Sequence, residues 1–94
     1  MIRLEVAQAA AVRSPHEQAA YGRWADALTQ EPRFVELLEH TAADLVHEWA
    51  AAPTTQEREA IWFKLQGLQR IVREMQKEIE HGIAATIELE TAQQ

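Results

Sequence analysis

Glu36, His40, Asp44 and His47 follow one another at spacings of 4, 4 and 3, which places all four on one face of a helix. Carboxylates and imidazoles on successive turns are the ligand types that hold zinc or iron. The same pattern describes the wet side of an amphipathic helix whose other side carries Leu38, Leu45 and Trp49, with His40 placed to pair with Glu36 one turn back. Metal binding by these four residues is therefore left open. Glu78 and His81 form a Glu-x-x-His pair of the kind that helical bundles use around paired metals, but such sites need further inward-facing glutamates from other helices. Glu78 flanks an apolar seam instead of lying on it, and His81 falls where the helix is expected to end. Neither set assigns a metal ligand, and no cofactor is expected.

Nucleophilic chemistry finds no support. Cysteine is absent, and Ser14, Thr29, Thr41, Thr54, Thr55, Thr86 and Thr91 occupy cap-like or surface-like positions. No glycine-rich phosphate loop occurs. Paired acids such as Glu36 with Glu39, or Glu74 with Glu78, lack the dense acidic motifs of all-helical nucleotide pyrophosphatases, so an enzyme is not expected. Arg70, Arg73 and Lys77, flanked by Lys64, form a basic strip that could touch phosphates. Glu74, Glu78 and Glu80 are interspersed with it, which predicts intrahelical ion pairs, and an acidic face of a partner protein would suit the strip as well as DNA. With 9 basic residues against 15 acidic ones, a formal charge of -6, direct binding of nucleic acid or of an anionic membrane surface is not expected.

The elements that would carry these residues read as helices. Ile61, Leu65, Leu68, Val72, Met75, Ile79 and Ile83 are spaced 4, 3, 4, 3, 4 and 4, a narrow apolar seam that must lie against another helix. Ser14-Pro15-His16-Glu17 opens a helix over 15–29, by a capping box with proline in the first turn, and Ala20 or Tyr21, Trp24, Ala27 and Leu28 form its expected buried edge. Pro32 starts a second helix over 32–51, striped by Phe34, Leu38, Ala42, Leu45 and Trp49 and widened by Val35 and Val46. Pro53-Thr54-Thr55 breaks it, and Thr54 with Glu57 caps a third helix over 55–81, which His81-Gly82 would end. So short a link folds the second and third helices into an antiparallel hairpin. Gly67 either lets a neighbouring backbone approach or is a tolerated cost. The termini, 1–13 and 83–94, alternate at Ile2, Leu4 and Val6 and at Ile87 and Leu89, yet also fit helical spacing; helix is favoured over a short strand pairing.

The expected architecture is a single all-α domain: an antiparallel helical hairpin with a long C-terminal helix and a shorter N-terminal helix. At 94 residues with alanine-rich stretches, the chain favours helix over core depth, and oligomers are a natural remedy. No apolar run approaches the roughly 18 to 20 residues of a membrane span, and Arg3 and Glu5 interrupt the place of a signal-peptide core, so a soluble protein kept in a cytoplasm is expected. Trp62 and Phe63 cannot both join the seam. Either Trp24 covers one of them or they stand exposed at an interface, and with Ile71 they exceed what a hairpin and a short helix readily cover. Trp62, Phe63, Ile71 and Trp24 are thus the candidate interaction residues.

Glu31-Pro32-Arg33-Phe34-Val35-Glu36-Leu37-Leu38, followed about thirty residues on by Leu65-Gln66-Gly67-Leu68-Gln69-Arg70-Ile71, resembles small helical proteins of tailed-phage and prophage morphogenesis modules. These share an aromatic near the start of one helix, a break, and a second helix with a Leu-Gln-Gly-like step. The resemblance spans residues 31 to 80. It implies a non-enzymatic structural or assembly protein that self-associates and docks on a larger virion assembly, at the portal, the head-to-tail junction or the capsid. The alternative is a small acidic phage-type inhibitor or regulator that occupies a basic host-protein surface. Both imply protein partners, and the first a homo-oligomer.

Overall fold

A computed structural model describes residues 13–93, and they form three helices: α1 (Pro15–Thr29), α2 (Pro32–Ala51) and α3 (Thr55–Ala92). The readings made of residues 1–12 lie outside the described residues. Each helix starts as its sequence dictates. Ser14 Oγ accepts from the Glu17 amide at 3.2 Å and Thr54 Oγ1 from the Glu57 amide at 3.1 Å, the hydroxyl half of each capping box. Glu31 caps α2 through its carboxylate, which accepts from the Phe34 amide at 2.7 Å, with Pro32 just inside.

The third helix corrects the expectation that it stops at 81. It continues for 38 residues to Ala92, about 57 Å at the helical rise, so the C-terminal segment is helix and not strand. Gly82 takes no left-handed conformation. Its backbone is buried against α1, which gives that turn a tertiary reason to persist in spite of the glycine.

α3 is the spine. Its N-terminal half pairs with α2 as an antiparallel hairpin, in which Ala51 and Ala52 lie beside Ala60 and Ile61 while Phe34, Val35 and Leu38 lie beside Val72 and Met75. Ile61, Leu65, Leu68 and Met75 of the seam, and Phe34, Leu38, Ala42 and Leu45 of α2, are half-buried there. The C-terminal half of α3 carries α1. Their closest approach is Gly22 against Gly82: a Cβ placed on Gly22 would stand 2.6 Å from the Gly82 Cα and 2.8 Å from the Glu78 carbonyl oxygen. Such backbone contact is possible only between glycines.

That contact also corrects the expected buried edge of α1. Ala19, Gly22 and Ala25 are buried, Tyr21 and Leu28 are half-buried, and Ala20, Trp24 and Ala27 are exposed. With the backbones this close, only the smallest side chains fit between the helices. Gly67 meets nothing within 4 Å, so the backbone-approach role belongs to Gly22 and Gly82. Among the described residues, the buried hydrophobic side chains are Ala19, Ala25 and Ala85, and none larger is buried. No described helix is long and apolar enough to cross a membrane.

Candidate protein-docking surface

The four candidate interaction residues are all exposed: Trp24 by 56%, Trp62 by 50%, Phe63 by 67% and Ile71 by 51%. They fall into two patches. Trp24 and Ile71 meet in a groove of about 350 Å³ where α1 leans over α3, completed by Tyr21, Leu28, Phe34 and Met75. Tyr21 and Trp24 share one side of α1 at a three-residue spacing, so their rings stack at a tilt with centroids 5.5 Å apart. The Arg13 guanidinium lies over the Tyr21 ring at 3.9 Å and 3.7 Å from Glu78, and Glu78 lines the groove with Glu74 and Arg70 as its charged residues.

Trp62 and Phe63 occupy a separate place, near the closed end of the hairpin. Their rings meet edge to face at 5.4 Å, and Trp62 shares a shallow cleft with Trp49 of α2. The expectation that Trp24 shields one of them is not met, because Trp24 stacks on Tyr21 and belongs to the other patch. Trp49 and Val46, which belong to the apolar stripe expected of α2, are instead 44% and 52% exposed, and Leu37, which that stripe omits, is exposed as well. Trp49 lies one helical turn past Leu45 in the last turn of α2, opposite the first turns of α3, where it shares its cleft with Thr55, Arg58, Glu59 and Trp62.

The polar constellations resolve differently. Glu36, His40 and His47 line the outward face of α2. The His40 Nε2 stands 3.9 Å from Glu36 Oε1, and among the described residues no three His, Asp or Glu side chains converge as a metal site would require. Glu78 is committed to the α1 contact, where its carboxylate accepts from the Gln18 side-chain Nε2 at 2.8 Å, while His81 is exposed. Within the basic strip, Glu74 accepts from Arg70 Nε at 3.0 Å and lies 3.4 Å from Lys77 Nζ. The Arg70 hydrogen bond, followed by the Lys77 charge, holds the Glu74 carboxyl below its ordinary range. The strip is thus partly neutralised by its own helix, as its spacing predicts.

Chemically, these arrangements offer aromatic and aliphatic contact surface rimmed by charge. No family model, no curated protein and no solved structure matches this chain.

Proposed function

We propose that this chain is a non-enzymatic structural or assembly protein that self-associates and docks onto a larger virion assembly of a tailed phage, at the portal, the head-to-tail junction or the capsid. One observation carries the need for partners: among the described residues, ten large apolar side chains are exposed while the largest buried hydrophobic side chain is alanine. The phage setting rests on the resemblance of residues 31 to 80. Docking falls to the two aromatic patches, Trp24 with Ile71 and Trp62 with Phe63, because aromatic anchors at the edge of a rigid frame dominate the energy of such contacts.

Light scattering after size-exclusion chromatography, repeated across a wide concentration range, tests the self-association. A defined multimer is expected, and a monomer at every concentration refutes it. The formal charge of -6 favours a second reading, an acidic inhibitor of a basic host-protein surface. Capture of a basic partner by a monomeric chain, lost steeply with added salt, would select that reading over assembly.

A further inference from the structure

The apolar seam of α3 runs on past the point where α2 can cover it. α2 begins at Pro32, beside Val72 and Met75, and the seam continues as Ile79, Ile83 and Ile87. α1 does not take over that duty. The Gly22 to Gly82 contact leaves no room for an isoleucine between the backbones, so these side chains stand beside the crossing, Ile83 and Ile87 each 57% exposed. They form the floor of an open groove of about 360 Å³ whose α1 wall holds Ala19, Arg23 and Asp26.

We propose that this strip is a homodimer seam, covered by a second copy of the chain across a two-fold axis passing beside Ile83. The inference rests on the self-association proposed above and names its surface. Three features point to a second copy. The spacing is its own mirror: a two-fold at Ile83 sets Ile83 against itself and Ile79 against the partner copy's Ile87, and seven residues to either side it sets the Gln76 amide, a donor, against the Glu90 carboxylate, an acceptor. The groove wall carries one charge of each sign, so the same rotation offers Arg23 of each copy an Asp26 or Glu90 of the other. The open strip is also continuous, running along α3 from Ile79 to Glu90, about 17 Å at the helical rise, with Arg23 and Asp26 of α1 beside it. Pairing makes a four-helix unit of α1, α3 and their mates.

The test uses the full chain. Wild type should sediment as a dimer, and the double variant Ile83→Asp/Ile87→Asp as a monomer of unchanged helicity, with association weakened at least about a hundredfold, since the carboxylate at position 83 would meet its own image and the one at position 87 would be buried against the partner copy's Ile79. Trp62→Ala/Phe63→Ala should remain dimeric. Because the chain has no cysteine, Ile83→Cys should give a covalent dimer with a short bismaleimide, and Phe63→Cys should not. A dimer that survives Ile83→Asp/Ile87→Asp, or a ring that Ile83→Cys does not crosslink, overturns the seam and leaves self-association standing. A wild-type monomer overturns both, and one that Ile83→Asp/Ile87→Asp destabilises without changing its mass places another part of the same chain on the strip.

Discussion

Gly22→Ala should destabilise the protein although it places a better helix former in a helix. The added Cβ would meet the Gly82 Cα at 2.6 Å and the Glu78 carbonyl at 2.8 Å, both backbone atoms that cannot rotate aside, so α1 must move off α3 by about 1 Å to restore ordinary contact. Overpacking of this kind costs about 1–3 kcal/mol. The alanine returns about 0.5–1 kcal/mol through its lower backbone entropy cost. The net loss, up to about 2.5 kcal/mol, corresponds to a fall in melting temperature of up to roughly 20 °C for a domain of this size. Gly67→Ala is the internal control: its Cβ would meet open space, so only the helix gain applies, and melting should rise by a few degrees. Gly82→Ala should behave like Gly22→Ala. The double variant should lose less than the sum, because the first alanine has already parted the helices. Far-UV circular dichroism melts at one fixed protein concentration supply the comparison, since association makes melting concentration-dependent. If Gly22→Ala melts at or above wild type, the backbones are not held at glycine separation and the explanation for the exposed isoleucines fails with it.

Removal of a cap hydroxyl by Ser14→Ala or Thr54→Ala should cost about 1 kcal/mol each in urea denaturation, whereas the exposed Thr41→Ala should be nearly neutral. Glu78→Ala strands Gln18 and Arg13 at the α1 contact and should cost about 1–2 kcal/mol, with Glu78→Gln recovering part of it by keeping an acceptor. Glu74→Gln tests the ion pairs of α3. Because the folded carboxyl titrates below its ordinary value, its stabilisation is present above that ordinary value and is lost as pH falls through the depressed one, so wild type and variant should differ at neutral pH and converge in strong acid or high salt.

Helix starts were legible because they are local. Ser14 with Glu17, Pro32, and Thr54 with Glu57 each act within one turn, and each stands where its residue types dictate. The hairpin was legible from the three-residue break and the matching stripes of α2 and α3. The end of α3 was not. Read alone, Gly82 is a helix stop; what makes it a helix interior is Gly22, sixty positions away, and that pairing is tertiary. The small residues Ala19, Gly22 and Ala25 at helical spacing were the available sign, but a large-residue reading of α1 favours Trp24 and Leu28 instead. The same bias placed Trp24 on the expected buried edge of α1 although it was also a candidate interaction residue, and a helix held at backbone distance turns it outward. Trp24 and Ile71 could be picked as exposed, but their shared groove required the angle at which α1 meets α3, which no local pattern contains.

The glycine crossing links the frame to its surfaces. An alanine and glycine interface removes little apolar area from water, so it contributes position more than hydrophobic stabilisation. The larger side chains that would ordinarily fill the space between two helices are displaced to either side of it. On one side they are aromatic, Tyr21, Trp24 and Phe34 with Ile71 and Met75; on the other they are aliphatic, Ile79, Ile83 and Ile87. These compositions suit different contacts. A flat row of branched aliphatic side chains resembles half of a helical core and matches a permanent partner, for which its own copy is always at hand. A groove with two stacked rings and charged lining residues offers anchors whose loss is costly one at a time, which matches a specific foreign partner. In the proposed dimer the first contact completes the frame and presents the second in fixed geometry, so a variant that dissolves the aliphatic seam should weaken the proposed aromatic docking too, whereas the loss of Trp24 should leave the oligomer intact.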